Sequence, residues 1–332
     1  MSIDSLKYLS PLLGGRGRVL LPCRVIPSPM EGVMTDLFCR AMGDLALADC
    51  WITPFIRISN AVPGIKSLRE KISRFTESRI PVTVQIMGNN PICMAGAVKE
   101  LRALDIKGIN INFACPSNTV IKNNSGGALL KNIPLMTEII NAVKDGAGDL
   151  PVSVKIRSGF SSSGEMPEIL DALLKTSPSY VIFHFRTVAE EYEDIPGGIG
   201  RTAKAVKALG EIPLIASGDI FSVADAVNVI SGTGCAGVAA GRGLLRNPFL
   251  IREIMEFFED GKNIDETEHE EKALAFFLKT LEIARSDPGR YWRRSSALES
   301  ARNLLGGADH PFFKRLLSMS DAEILSLTAD RA

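Results

Sequence analysis

Residues 108–131, GININFACPSNTVIKNNSGGALLK, hold one unit of a pattern that recurs along the whole chain. A short apolar strand, Ile109–Phe113, carries Asn112 near its end. Cys115 and Pro116 follow at once, and a polar, glycine-containing loop then leads toward a helix. A thiol just past the end of a strand is placed to react.

Outward from this unit, in both directions, short apolar or β-branched runs alternate with loops and with about ten residues of helical spacing. The runs are Val25–Pro29, Cys50–Phe55, Val82–Met87, Ile109–Phe113, Val152–Ile156, Tyr180–His184, Pro213–Ala216 and Ala236–Ala240. Helical patterns lie between them, among them Thr35–Met42, Pro91–Leu104, Pro134–Lys144, Glu165–Lys175, Thr202–Leu209 and Val223–Ile230. Eight strands alternating with helices predict an α/β fold, a closed (β/α)8 TIM barrel, rather than an open sheet. A doubly wound sheet is the alternative, but the glycine-rich G-x-G-x-x-G turn expected after its first strand is missing.

Single barrels commonly run to about 250 residues, so a chain of 332 has room for an appendage. The last barrel helix is expected at Asn247–Phe258, and DGKNIDETE reads as a charged linker. Beyond it no strand pattern recurs. Ala273–Arg285, Trp292–Leu305, Phe312–Leu317 and Asp321–Leu327 predict a small all-helical domain, dividing the chain into residues 1–262 and 263–332. Residues 1–17 read as a lead-in that covers the bottom of the barrel.

Hydrophobic residues at 45% and charged residues at 23% describe a chain able to bury a large core. The 38 basic and 38 acidic residues cancel, so any surface for a polyanion must be local. Local excess does occur. Between Arg285 and Arg315 seven basic residues face Asp287, Glu299 and Asp309, although a solvated helix face is the plain alternative. The six cysteines form no C-x-x-C pair and the chain opens on no basic-then-apolar segment, which predicts a reduced, cytoplasmic protein without structural zinc. No apolar run reaches the roughly 20 residues that span a bilayer, and no protein partner is indicated.

Catalytic and ligand groups of such barrels gather at the C-terminal ends of the strands. Seven of the eight predicted strands end in polar or special residues: Pro29-Met30-Glu31, Gln85, Asn112 with Cys115, Lys155 with Arg157, His184 with Arg186, Ser217-Gly218-Asp219, and Gly241-Arg242-Gly243. Taken singly, Cys115 reads as a small buried hydrophobe and His184 as a satisfied core residue; a lone lysine at a strand end is usually a solvated rim cation, but the alternation of VSVKIR places Lys155 inside and favours a function. Their convergence on one rim favours a site. Glycines after the seventh and eighth strands let backbone N–H groups approach a ligand, with Arg242 as charge partner; this suits a phosphate, though tight turns capping helices read the same way. There is no carboxylate pair for glycoside hydrolysis and no H-E-x-x-H metal pattern, so no metal is expected. The residues alone therefore describe a barrel enzyme for a phosphate-bearing ligand, with a cysteine at the active rim.

At these positions the chain resembles the tRNA-dihydrouridine synthases. The likeness runs through PMEGVMTDLFCR, ITPFIRI, VTVQIMG, NFACPSNTVIKNNSGGALL, PVSVKIRSGF, HFRT, ASGDI and GVAAGRGLLRNP, in the family's order, and is greatest to the bacterial C-type members. The resemblance implies FMN as cofactor, NADPH as electron donor, tRNA as partner and reduction of uridine to 5,6-dihydrouridine, at position 16 of the D-loop. It implies backbone contacts to the flavin from Pro29 and Met30, with Gln85 and Lys155 at its ring, His184 near ring or substrate, and Ser217, Gly218, Asp219, Gly241 and Arg242 toward the phosphate. By the same transfer Asn112, Arg157 and His184 orient the uracil and Cys115 protonates C5. The helical tail would bind RNA through Arg290, Arg293 and Arg294, and the segment Ser117–Gly127 would be mobile until RNA orders it.

Three departures stand out. Ser217 replaces the family's asparagine, Phe185 replaces a small residue and is expected to reshape the pocket wall, and Ala239-Ala240 replaces a bulkier pair. Two other functions fit less of the pattern: a flavin barrel reducing a free pyrimidine or small enone, and a catalytically idle RNA-binding chaperone.

Overall fold

The computed structural model describes residues 5–261 and 269–328. Its centre is a ring of parallel strands: β1 Val25–Pro27, β2 Trp51–Ile52, β3 Val82–Gly88, β4 Gly108–Phe113, β5 Val152–Arg157, β6 Val181–His184, β7 Leu214–Ser217 and β8 Gly237–Ala240. The ladders run β1-β8-β7-β6-β5-β4-β3-β2, all parallel. The ring is thus nearly closed, with β1 and β2 unladdered neighbours; at that seam Cys23 Sγ lies 3.8 Å from Cys50 Sγ. The predicted second strand, Cys50–Phe55, shortens to Trp51–Ile52, and a strand that was not predicted lies beyond its expected end. Trp51–Ile52 pairs with the start of β3, and after Thr53-Pro54-Phe55 a separate strand, Ile56–Ile58, pairs with its end. A proline has no N–H to give to a ladder, which accounts for the break at Pro54.

The connecting helices follow the sequence pattern: α1 Asp36–Asp44, α2 Ile65–Thr76, α3 Pro91–Leu101, α4 Ile133–Ala147, α5 Met166–Thr176, α6 Gly198–Leu209, α7 Val223–Thr233 and α8 Leu250–Asp260. Their starts are chemically marked. The Thr35, Asn90, Asn132 and Ser222 side chains accept from backbone N–H groups of the first turns of α1, α3, α4 and α7. Along β3 to β6, one set of alternate residues, including Val84, Ile86, Ile109, Ile111, Val154 and Ile156, is fully buried in the apolar layer beneath the helices.

The other set faces the barrel axis and changes character along it. At the N-terminal end Leu12, Leu20 and Leu21 join Ile26, Ile52, Tyr180, Ile182, Ile215 and Ala239 in a separate apolar cluster. Leu12–Leu13 and Val19–Leu21 are antiparallel partners, so the lead-in does cover the bottom of the barrel. Toward the C-terminal end the axis is lined by amides, hydroxyls and cations.

The tail is helical: α9 His269–Ser286, a turn at Pro288–Tyr291, α10 Arg294–Leu304, α11 Pro311–Ser318 and α12 Asp321–Leu325. It docks on α1, where Phe276 and Phe38 have ring centroids 5.0 Å apart, and α10 packs against the short helix Arg242–Arg246 that follows β8. The linker expected at 260–268 and the boundary expected between 262 and 263 lie almost entirely outside the described residues. No helix among those described is long and apolar enough to cross a membrane.

Candidate active site

A cavity of about 830 Å³ opens at the C-terminal end of the barrel. Pro29, Met30, Gln85, Asn112, Cys115, Lys155, Arg157, His184, Ser217, Gly218, Asp219, Gly241 and Arg242 all line it. Thirteen residues drawn from seven strand ends thus share one cavity. Cys115 alone among the six cysteines is not buried.

Cys115 is held by a chain of amides. Asn112 Oδ1 accepts from the backbone N–H groups of Ala114 (3.0 Å) and Cys115 (2.9 Å), which bends the chain just after β4. With its oxygen occupied, Asn112 turns Nδ2 to Gln85 Oε1 at 2.9 Å. Gln85 Nε2 donates to Asn110 Oδ1 at 2.7 Å, Asn110 Nδ2 to Ser153 Oγ at 2.8 Å, and Ser153 Oγ to the Ile109 carbonyl at 3.2 Å. The two backbone donors at one end set the orientation of every amide in the chain. Gln85, which lines the cavity, consequently has one N–H left over.

Arg157 anchors two loops. Its Nε donates to the Ala114 carbonyl at 2.9 Å, and Nη1 donates to the Thr187 and Glu191 carbonyls at 2.8 and 2.7 Å. The loop that presents Cys115 is thereby tied to the loop after β6. Lys155 differs: it has no hydrogen bond or ion pair among the described residues and lines the cavity as an uncompensated cation. Burial, reinforced by Arg157, pulls its pKa from 10.5 to about 8.

His184 is buried, and that burial, with Arg157, Lys155, Arg186 and Arg242 around it, holds its pKa well below the ordinary value. It is neutral near pH 7. Nδ1 accepts from the Arg186 backbone N–H at 3.3 Å, leaving Nε2 to carry the hydrogen. On the other side of the cavity Asp219 joins two arginines. Arg186, 2% exposed, donates through both terminal nitrogens (2.9 and 2.6 Å), and Arg242 donates at 2.7 Å. One carboxylate against two guanidinium groups leaves this corner net positive, which suits a phosphate.

Phe185 does not line the cavity. It lies behind His184, with ring centroids 5.4 Å apart, and occupies the space beside Gly198 and Gly218, where an added Cβ would come within 2.8 and 2.6 Å of its ring. Ser217 stays on the wall, with Oγ 3.5 Å from Ser28 Oγ. The segment expected as a mobile loop contains a helix, Asn118–Lys122, with Val120, Ser125, Gly126 and Gly127 buried.

The three tail arginines separate by their partners. Arg290 binds Asp36 (3.3 Å) and Glu77 (2.9 Å) and so joins the tail to the barrel. Arg294 binds Asp321 at 3.0 Å within the tail. Arg293 is exposed and donates to the Gly289 and Trp292 carbonyls, with no carboxylate within ion-pair distance among the described residues.

Sequence reading missed Phe55, Arg57, Tyr192 and Phe221, which also line the cavity. Tyr192 lies 5.4 Å below the Arg157 guanidinium and 4.8 Å below that of Arg242, bridging opposite walls. Its loop follows β6 with no regular spacing, so only its aromatic character amid acidic residues hinted at a role.

A family model described as dihydrouridine synthase matches residues 26–303. The tRNA-dihydrouridine(16) synthase of Haemophilus influenzae is 33% identical over 235 residues, covering 68% of this chain and 75% of that protein. A probable tRNA-dihydrouridine synthase 1 of Synechocystis is 32% identical over 253 residues, covering 74% and 68%. Among solved structures, the histamine dehydrogenase of a Rhizobium species superposes with a TM-score of 0.58 at 12% identity, over 85% of this chain and 51% of that one. The structure titled TcOYE with pHBA gives 0.54 at 13%, over 79% and 95%. At such identities the structural likeness concerns the fold alone.

Proposed function

Because the chain belongs to the dihydrouridine synthase family, we propose that this cavity takes a uridine of tRNA, at position 16, and that the enzyme reduces it to 5,6-dihydrouridine. The observation that supports it most is the meeting, in one cavity, of the single unburied cysteine with an uncompensated lysine and a net-positive corner. Those donors suit a planar heteroaromatic ring bearing carbonyls and a terminal phosphate. FMN, reduced by NADPH, would supply the hydride for C6 of the uracil.

Each residue then has a physical task. Gln85 offers its remaining N–H and Lys155 its charge to the ring, Pro29 and Met30 border it, and Gly218, Gly241 and Arg242 receive the phosphate, with Ser217 alongside. Asp219 positions Arg242 through its 2.7 Å bond and does not itself meet the anion. His184, neutral, donates from Nε2 to a uracil carbonyl. Cys115 gives its thiol proton to C5, and the thiolate left behind lies within the field of Lys155 and Arg157. Asn112 holds the Cys115 loop through Oδ1 and, like Gln85, keeps one N–H that can meet the uracil, while Arg157 acts chiefly by holding that loop through Nε.

The substrate uridine must leave its stack to enter the cavity, at a cost of a few kcal/mol. Of Arg290, Arg293 and Arg294, Arg293 is the one without a carboxylate partner among the described residues and so can contact RNA phosphate, while Arg290 fastens the tail that presents it.

Nucleoside mass spectrometry of tRNA from a deletion strain tests the function: dihydrouridine at position 16 should vanish and return on complementation. Unchanged dihydrouridine at every tRNA position would overturn it. Cys115→Ala should lower turnover by about 100-fold or more while the purified protein keeps its flavin absorbance. Full activity in that variant would require a different acid.

A further inference from the structure

The strand Ile56–Ile58 buries Ile56 and Ile58 against β3, and alternation along the chain turns Phe55 and Arg57 to the opposite side. There they form, with Glu31, a ridge shared by the main cavity and a second cavity of about 510 Å³. The floor of the second cavity comes from Thr35 and Asp36 at the start of α1 and from Lys71, Arg74 and Phe75 of α2.

Two features of the ridge have no structural explanation. Phe55 is half-buried yet belongs to neither apolar cluster of the described residues, so its ring supports no core. Arg57, exposed and 5.9 Å from the Phe55 ring centroid, has no carboxylate within 4.0 Å among those residues. The acids beside it are mostly engaged, Asp36 by Arg290 and Glu70 by Arg74, which leaves Glu31 as the remaining carboxylate of the two cavities' shared wall. Arg57 feels the Glu31 carboxylate only beyond ion-pair distance, and an aromatic face next to a guanidinium that no ion pair occupies is the pairing that holds single-stranded nucleic acid, with a base stacked on the ring and a phosphate on the cation.

We propose that the second cavity binds the nucleotide adjacent to the target uridine, its base stacked on Phe55 and the intervening phosphate on Arg57. A base drawn into the main cavity brings its neighbour across this ridge, and the ridge then reads the flanking nucleotide. The inference rests on RNA being the substrate.

The test uses flavin-loaded enzyme, unmodified tRNA transcript and the variants Phe55→Leu, Phe55→Trp, Arg57→Gln and Arg57→Lys. Binding is read by fluorescence anisotropy with no electron donor present, and turnover by dihydrouridine formation. Phe55→Leu and Arg57→Gln should each weaken tRNA binding and raise KM about ten-fold, with kcat within about three-fold, and Phe55→Trp should restore most of the affinity. Substituting the nucleotide beside the target uridine with an abasic site should weaken the wild type and leave Phe55→Leu nearly unaffected. Kd and KM within two-fold of wild type in both variants would overturn the proposal. So would a loss confined to kcat, which would place the ridge at the reacting base. A wild type that binds tRNA but forms no dihydrouridine would overturn the activity instead, and the anisotropy comparison would still decide the ridge.

Discussion

At the scale of single residues, the site combines one group held away from charge and one held toward a particular hydrogen bond. Burial lowers the Lys155 pKa from 10.5 to about 8, so the ammonium is held less favourably in the folded protein than in the unfolded chain, although it still predominates at pH 7. The cost to stability is therefore fully present below pH 8 and fades as pH rises from about 8 to 10.5. Cofactor-free Lys155→Met should melt at a higher temperature than wild type at pH 7, with the difference shrinking by pH 10; an equal difference at both pH values would contradict the shift. The functional counterpart has the opposite sense, because the affinity for the proposed flavin should fall through pH 8 in wild type and stay flat in Lys155→Met. The amide chain behind Cys115 makes a second prediction. Asn110→Leu strands donors on Gln85 and acceptors on Ser153, at about 1–3 kcal/mol per orphaned group. It should also change the rate at which iodoacetamide alkylates Cys115, some distance along the chain of bonds, whereas Asn110→Ser should retain part of the wild-type rate. An unchanged alkylation rate in Asn110→Leu would reduce the network to packing.

Among the elements, glycine determines how closely the loops after β7 and β8 approach. A Cβ on Gly243 would lie 2.2 Å from the Ile220 carbonyl oxygen, a backbone atom that cannot swing away. Gly243→Ala should therefore push apart the segments carrying Asp219 and Arg242, costing on the order of 1–3 kcal/mol and lowering the flavin-to-protein ratio after dialysis. A fully loaded Gly243→Ala protein would show that the Asp219–Arg242 corner tolerates the shift. The shortened second strand belongs to this scale too. Pro54 interrupts the ladder, and the freed chain restarts as Ile56–Ile58 with Phe55 and Arg57 at the cavity edge. A continuous strand from Cys50 to Phe55 would not place them there.

Across the whole molecule, the tail is fastened to the barrel by Arg290 on Asp36 and Glu77 and by the Phe276–Phe38 contact. Arg290→Gln should lower stability by about 1 kcal/mol in thermal denaturation and expose the tail to limited proteolysis. Arg293→Gln should leave stability within about 0.5 kcal/mol, weaken tRNA binding and reduce the slope of log K against log salt by roughly 0.7 to 0.9. If the two variants behaved alike, the division between clamp and RNA contact would fail. The eight-strand rhythm, the helical tail and thirteen of the cavity residues could be read from the chain, because period, capping residues and strand-end chemistry are local properties that precede packing. Phe55, Arg57 and Tyr192 could not, since each lies in a connection whose path depends on what it packs against. The basic count between Arg285 and Arg315 likewise could not distinguish Arg290 and Arg294 from Arg293. By itself, then, the sequence determined the barrel and the rim on which its polar residues meet, because a strand's end is set by local pattern. Only the tertiary structure decided which polar groups are engaged with one another and which remain available, because hydrogen bonds and ion pairs between residues as far apart as Asp36 and Arg290 exist only once the chain has closed on itself.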